Sequence, residues 1–429
     1  MTKLILAIHL FLISTFAFFG TNQSAPTSAI PVCYSMPEDE VIQTGGQPVS
    51  ASNSPIEIDP TKAYSMPLLA QTAKGDVMLS WTEKDEQGMV SLCLAFSKDK
   101  GKTFSEKKTI YSGTGIGNSR MMKAKVLSKK DGSFVAVFSN RVEAAPNANQ
   151  SGRGGGRSSN IVYCVSKDGG STWTSPLSVD SDPKQGIVRG FFDAIVMPND
   201  EIAVAYLKDV ANSTKHEERD LRMVISKNGV MQPEKLIDAV VCDCCPINLL
   251  IDSEGALNVI YRDNNDDIRD MAKMVSTDNA ETFSKSQILY QDGWKINGCP
   301  HSGAVSSTAG KGALISWFSG ADSEKGIRLV TKEGKKLLVL NDPTAKNQSV
   351  IGGAQTSALI WEQNNSENNL SQIALRKINN NKASEIIWVD GSSNGSNATG
   401  LLIDNQLLVA HEVKQPNGKN SLKTSTVVL

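Results

Sequence analysis

An eight-residue segment with the pattern Ser-x-Asp-x-Gly-x-Thr-aromatic occurs three times in this chain of 429 residues. The copies are Ser97–Phe104, Ser166–Trp173 and Ser276–Phe283, the last with alanine in place of glycine. Each copy follows a short run that is rich in β-forming residues. An aspartate that accepts backbone N–H bonds and a glycine with open dihedral angles are typical of a tight turn. The octets therefore indicate equivalent turns in a repeated β-structure.

A second periodicity extends from residue 66 to residue 429, in modules of about 52 residues. In each module an apolar run, a Gly- or Asp-containing turn and another apolar run predict an antiparallel hairpin, which a third and often a fourth strand follow. The hairpins are Leu68–Trp81, Ala124–Phe138, Phe191–Tyr206, Ile247–Tyr261, Ala304–Trp317, Val350–Trp361 and Gly400–His411. Four short strands per module predict an all-β fold, a single β-propeller of seven blades, with six blades as the alternative. We expect Pro55–Asp59 to supply the fourth strand of the last blade.

The N-terminal segment has the pattern of a secretory signal peptide. Lys3 is followed by an uncharged apolar stretch, Leu4–Gly20, and then by small residues. The pattern predicts a signal peptide at 1–29, a linker at 30–54 and the propeller at 55–429. A membrane anchor formed by the same run and a lipid anchor on Cys33 are the alternatives. We expect the mature chain to be exported to the periplasm, the cell surface or the medium, with no membrane span.

The charge balance limits the partners of the chain. There are 44 Lys and Arg residues against 45 Asp and Glu residues. A near-neutral chain has no general electrostatic attraction to nucleic acid, so nucleic acid is not an expected partner.

The octets resemble the Asp-box (BNR) repeats of the sialidase superfamily, and the hairpin pattern extends this resemblance over most of the chain. The resemblance implies a propeller whose Asp boxes lie opposite the ligand face. It also implies an extracellular glycan or small ligand, with binding or exo-α-sialidase-like glycosidase activity. The family carries an arginine triad, whose first member belongs to an Arg-x-Pro motif. Here Ser65-Met66-Pro67 stands at that place, so we do not expect efficient sialidase turnover.

Several residues near predicted strand ends could contribute to an anion-binding or catalytic site. Guanidinium groups match carboxylates, and tyrosine is the unusual nucleophile of sialidases. The candidate catalytic residues are Arg189, Tyr261, Arg262, Asp263 and Arg269. The alternative is that these are solvated residues at the rims of loops.

Two cysteine-containing segments precede the first strands of consecutive modules. They are Cys242-Asp243-Cys244-Cys245-Pro246 and Gly298-Cys299-Pro300-His301. Neighbouring loops of a propeller meet at the channel mouth, so we expect the four thiols and the imidazole of His301 to form one cluster. Such ligands suit copper or zinc, and Met66, Met121 and Met122 could add thioether sulfurs. A disulfide and free thiols are the alternatives.

Three functions are consistent with these features. The first is an exported propeller that binds or trims glycans. The second is a soft-metal or redox propeller that uses the Cys/His cluster, and the third is an interaction scaffold.

Overall fold

The computed structural model describes residues 54–141, 159–180, 188–210 and 218–429, apart from the side chain of Arg189. The predicted signal peptide and all but the last residue of the predicted linker lie outside the described residues. The described part is built almost wholly of antiparallel strands. Its one helical element is a short 3-10 turn, Arg120–Met122. No helix in this part is long and apolar enough to cross a membrane.

The strands form seven separate sheets, which are the seven blades of a propeller. In blade 1 they are β1 (Ala63–Gln71), β2 (Val77–Lys84), β3 (Val90–Ser97) and β4 (Lys108–Gly113). In blade 2 they are β5 (Lys125–Ser128), β6 (Phe134–Arg141), β7 (Ser159–Ser166) and β8 (Leu177–Ser178). In blade 3 they are β9 (Val188–Val196), β10 (Ile202–Asp209), β11 (Arg219–Lys227), β12 (Val230–Met231) and β13 (Lys235–Val241).

Blade 4 consists of β14 (Asn248–Ile251), β15 (Leu257–Arg262), β16 (Met271–Ser276) and β17 (Gln287–Tyr290). Blade 5 consists of β18 (Val305–Ala309), β19 (Gly312–Ser319), β20 (Gly326–Thr331) and β21 (Lys336–Leu340). Blade 6 consists of β22 (Lys346–Ile351), β23 (Thr356–Asn364), β24 (Ser371–Asn379), β25 (Lys382–Ala383) and β26 (Ile387–Trp388). Blade 7 consists of β27 (Gly395–Ile403), β28 (Gln406–Lys414) and β29 (Asn420–Val428). The predicted all-β fold and the count of seven are confirmed.

The core lies between neighbouring blades, because both faces of each sheet are covered. The second strands of the blades are buried along nearly their whole length. Trp81, Trp317 and Trp361 occupy this strand in blades 1, 5 and 6 and are among the largest fully buried side chains. Each indole N–H donates to a side-chain oxygen at 2.7–3.1 Å, which satisfies the polar atom of an otherwise apolar group.

The three Asp boxes form nearly identical turns between the third and fourth strands of blades 1, 2 and 4. In each turn the aspartate accepts the backbone N–H of the threonine at 2.9 Å and its hydroxyl at 2.6 Å. The serine hydroxyl accepts the backbone N–H at Gly101, Gly170 or Ala280. These three residues have positive φ, which explains why glycine stands in two of the copies.

The ring closes differently from the prediction for Pro55–Asp59. This segment forms no strand, and blade 7 has three strands in the part of the chain that the structure describes. Instead, Ile56 and Ile58 pack beside Leu408 and Leu422. Pro55 and Pro60, which bracket this segment, have no backbone N–H, and the N–H of Asp59 donates to the Tyr64 hydroxyl at 2.8 Å instead of to a strand, which disfavours a ladder.

Candidate functional site

An axial pocket of about 340 Å³ lies at the centre of the ring. All seven blades contribute to its wall, through their first strands or the residues just before them. The first strands of blades 1, 6 and 7 each carry a bulge at this level. Met66, Asn347 and Asn397 have positive φ in these bulges, which turn the chain around the channel axis. The pocket is therefore a product of the whole ring.

The charged residues that line this pocket are three cations and one anion. The Lys125 ammonium lies 2.8 Å from the Asp193 carboxylate, so these two charges compensate each other. Asp193 is 3% exposed and also accepts the backbone N–H of Leu249 at 2.8 Å. It thereby links blade 3 to blade 4 and fixes the direction of Lys125.

The other two cations of the pocket, Arg120 and Lys123, form no ion pair or side-chain hydrogen bond with any described residue. Arg120 is exposed and begins the 3-10 turn, whereas Lys123 is half-buried. Desolvation by the pocket wall lowers the pKa of Lys123 to about 8, although the carboxylate of Glu412 acts in the opposite direction. The pocket therefore presents two cations without an ion-pair partner among the described residues, and one of them is poorly hydrated.

Position 65, where the family resemblance would place an arginine, is part of a neutral hydrogen-bonded group. The Ser65 hydroxyl donates to Asn118 Oδ1 at 3.2 Å, and the Thr82 hydroxyl donates to the same oxygen at 2.7 Å. The cations of the pocket come instead from the segment before β5 and from Lys125, the first residue of β5. Sequence reasoning missed Lys123 and Lys125 as site residues, and their place at the start of the first strand of blade 2 was the available signal.

The five predicted Cys/His ligands are brought together beside the first strands of blades 4 and 5. The sulfurs of Cys242, Cys244 and Cys245 all lie within 4.8 Å of one another, as do the donor atoms of Cys244, Cys299 and His301. The first three cysteines are buried, and Cys299 and His301 are exposed. The sulfurs of Cys242 and Cys245 are 3.5 Å apart. No cysteine of the described residues forms a disulfide.

Charged side chains surround this Cys/His cluster. Asp243 is 3% exposed, and its carboxylate lies 3.5 Å from the Cys299 sulfur. The guanidinium groups of Arg219 and Arg269 approach Asp243 from two sides, both at 3.8 Å. The pKa of Cys242 is lowered, chiefly because the thiols of Cys244 and Cys245 donate hydrogen bonds to it. Burial raises the pKa of Cys245 to about 12.

The structure directs Tyr261 and Arg262 away from a common ligand site. Successive residues of a strand point to opposite faces, so these two side chains of β15 enter different interblade spaces. The Tyr261 hydroxyl donates to Asp238 on the outer strand of blade 3 and contacts the Ser286 hydroxyl at 2.7 Å. It is 1% exposed, and burial raises its pKa. Tyr261 is therefore not among the residues that line the axial pocket, and a catalytic role for it stays a prediction.

Arg262 is likewise 1% exposed. Its guanidinium donates to the carbonyl oxygens of Ser302, Phe318 and Arg269 and lies 5.0 Å from the ring centre of Trp294. Its Nε and both Nη atoms are engaged in these bonds, and Arg262 is not among the residues that line the axial pocket, so its role as an anion ligand stays a prediction. This side chain holds together the loops of blades 4 and 5.

Two of the remaining catalytic candidates, Asp263 and Arg269, do not line the axial pocket either. Arg269 faces the Cys/His cluster, and Asp263 is half-buried and accepts the backbone N–H of Asn264. Burial raises the pKa of Asp263. The side chain of Arg189 lies outside the described residues. A catalytic role for Arg189, Asp263 or Arg269 stays a prediction.

Comparisons with known proteins identify the fold. No family model matches the chain, and no curated protein matches it. A crystal structure of a protein of unknown function from Dyadobacter fermentans has a TM-score of 0.51 and 15% identity, over 88% of this chain and 98% of that chain. The polysaccharide lyase PL25 ulvan lyase has a TM-score of 0.50 and 13% identity, over 86% of this chain and 94% of that chain.

The Hadza microbial sialidase Hz136 is similar over 86% of this chain and 66% of that chain, with 12% identity and a TM-score of 0.49. At these identities the similarity concerns the fold alone. The fold that the Asp-box resemblance implied, a β-propeller, is confirmed.

Proposed function

We propose that this protein is an exported propeller that binds acidic glycans in the axial pocket. The observation that carries the proposal is a pair of cations, Arg120 and Lys123, that have no ion-pair partner among the described residues and line a pocket to which all seven blades contribute. A carboxylated or sulfated sugar would supply the anion that these two side chains lack. The leader pattern of residues 1–29 supports a ligand outside the cell.

The size and the polarity of the pocket support a sugar. A volume of about 340 Å³ lies at the lower end of small-molecule sites and suits one or two sugar residues. Hydroxyl and amide groups of Asn248, Ser306, Asn347, Gln348 and Asn397 line the wall beside the cations. The ulvan lyase of the same fold has been solved bound to -[GlcA(1-4)Rha3S]-, an acidic sugar sequence.

Binding is favoured over sialidase catalysis. Ser65 replaces the first arginine of the family motif, and Tyr261 is buried between blades 3 and 4 with its hydroxyl bonded to Asp238. A phenol whose pKa is raised by burial is a poor nucleophile. We expect fluorogenic sialosides to be hydrolysed weakly or not at all.

A glycan array followed by titration calorimetry tests the proposal. The array should contain uronate-containing, sulfated, sialylated and neutral oligosaccharides. We expect binding to an acidic member, and we expect the double variant Arg120→Gln/Lys123→Met to weaken it at least about 30-fold, the loss of about 2 kcal/mol for two charge-assisted contacts. The control is Lys98→Met, which removes an exposed lysine of an Asp box. Preference for neutral sugars, or equal loss in both proteins, would contradict the proposal.

A second function, soft-metal binding, is favoured by the convergence of four thiols and one imidazole on the side of blades 4 and 5. Thiolate and imidazole donors within a few ångströms of one another are the ligand set of zinc and copper sites. Elemental analysis of protein purified from its native compartment, together with a thiol count, tests this function. Metal-free protein with all thiols reduced would contradict it.

A further inference from the structure

The donors of the Cys/His cluster fall into two triads that share one sulfur. The first triad is Cys242, Cys244 and Cys245, and the second is Cys244, Cys299 and His301. Within each triad all donor atoms lie within 4.8 Å of one another. The Cys244 sulfur is thus the one donor that belongs to both triads.

This arrangement differs from a closed zinc site. A tetrahedral ion bound about 2.3 Å from each sulfur needs four donors that are all about 3.8 Å apart. Among the described residues the donors form sets of three, and Cys244 belongs to both sets. A three-coordinate ion at the same bond length spaces its ligands by about 4 Å. The sulfurs of Cys242 and Cys245, 3.5 Å apart, lie within about 0.5 Å of either spacing, so the number of donors in each set, three, is what distinguishes the two geometries.

Low coordination by soft donors is the preference of Cu(I). A d¹⁰ ion with one positive charge is satisfied by two or three thiolates, and a thiolate sulfur has lone pairs enough to bridge two such ions. We propose that the cluster binds two Cu(I) ions bridged by the Cys244 thiolate, one in each triad. This inference rests on the proposed soft-metal function and specifies its ion, its stoichiometry and its geometry.

The surrounding charges suit such a cluster. Four thiolates and two Cu(I) ions carry a net charge of −2, and four protons leave to solvent as the ions enter, with no change in oxidation state. Arg269 is 3% exposed, and its Nε and Nη1 atoms are buried without a hydrogen-bond partner. The Cys242 sulfur and the Asp243 carboxylate both interact with this guanidinium, so a bound thiolate cluster would place its negative charge beside Arg269.

The two positions differ in access to solvent. Cys242 and Cys245 are 1% and 3% exposed and pack against Phe191, whereas Cys299 and His301 are exposed. His301 has φ of 48°, a conformation that is uncommon for a non-glycine residue and is often kept at functional sites. The outer ion therefore exchanges with the surroundings, and the inner ion is retained.

Anaerobic titration of the reduced, mature protein with Cu(I) tests this inference, with a chromogenic Cu(I) chelator as competitor. We expect two Cu(I) ions per chain, and X-ray absorption of the loaded protein should show sulfur neighbours and a short copper–copper vector. His301→Ala/Cys299→Ser should retain one ion. Cys244→Ser should lower the affinity for both ions at least ten-fold, because it removes the shared ligand. The matched control, Cys93→Ser, removes a buried thiol of blade 1 and should retain two.

The outcomes separate this inference from the function on which it rests. One zinc ion per chain that excess Cu(I) does not displace, or two Cu(I) ions without a copper–copper vector, would overturn the bridged pair but leave soft-metal binding standing. Absence of any bound metal would overturn both. If Cys244→Ser does not fold, the copper–copper vector of the wild-type protein decides alone.

Discussion

The backbone N–H of Met66 donates a 2.8 Å hydrogen bond to the carboxylate of Glu412 and so joins the first blade to the last. Glu412 is 2% exposed and also accepts the side-chain amides of Asn397 and Asn420, at 2.8 and 2.7 Å. Because Pro55–Asp59 forms no strand of blade 7, contacts of this kind hold the ring closed.

Replacing Glu412 by alanine should open this junction. Three half-buried donors would lose their acceptor, which we expect to destabilise the protein by about 1–3 kcal/mol. Urea unfolding monitored by tryptophan fluorescence measures the change. The control is Glu86→Ala, since the exposed Glu86 carboxylate pairs with Lys419 across the same two blades. Exposed pairs contribute less than about 1 kcal/mol, so equal effects of the two variants would refute the role of Glu412.

The aspartates of the three Asp boxes should make stability depend on pH in the acid range. Hydrogen bonds from the threonine and serine of each box lower the pKa of Asp99 and Asp278 to about 2, and the pKa of Asp168 is lowered as well. A carboxyl whose folded-state pKa is lowered contributes stability above its unfolded value of 3.8 and loses it as the pH falls toward 2. The urea concentration at the midpoint of unfolding should therefore decrease from pH 7 to pH 4 and decrease further at pH 3.

The triple variant Asp99→Asn/Asp168→Asn/Asp278→Asn supplies the comparison. It should have a lower midpoint at pH 7 and a weaker decrease between pH 4 and pH 3 than the parent. Because the Asp boxes lie at the ends of the third strands, away from the axial pocket, glycan affinity at pH 7 should not change. If the triple variant lost as much stability between pH 4 and pH 3 as the parent does, other carboxyl groups would be the cause of the loss of stability in acid.

The sequence predicted the fold because its signals are local. The octets and the alternating hairpins are each complete within a few residues, so they specify turns and strands without knowledge of tertiary contacts. The convergence of Cys242 and Cys299 was also predictable, since each precedes the first strand of consecutive blades. The direction of Tyr261 and Arg262 was not, because a one-residue difference in register sends a strand's side chain into the other interblade space. The sequence could not show that Lys125 forms an ion pair and Lys123 does not, because the partner of Lys125, Asp193, lies in another blade.

Arg262 should be a structural residue. Arg262→Ala removes every bond to the carbonyl oxygens of Ser302, Phe318 and Arg269, which we expect to cost about 2–3 kcal/mol. Lysine cannot reproduce the planar fork, so Arg262→Lys should restore only a small part of the stability. The control is Arg141→Ala, because Arg141 is exposed. If Arg262→Ala kept the parent's melting temperature but lost glycan binding, a direct role in the ligand site would replace this interpretation.

Lys123 should make glycan binding depend on pH. Desolvation lowers its pKa to about 8, so the cation that an acidic sugar needs is present below this pH and is lost as the pH rises through it. Between pH 7 and pH 9 we expect the affinity of an acidic oligosaccharide to fall by up to about ten-fold, following the protonated fraction. Lys123→Arg keeps the charge at every pH and should remove this dependence, because guanidinium does not titrate in this range.

Lys123→Met should bind the acidic oligosaccharide weakly at both pH values. Calorimetric titrations of the three proteins at pH 7 and pH 9 measure the effect, and a parent protein with equal affinity at both would show that Lys123 does not contact the anion.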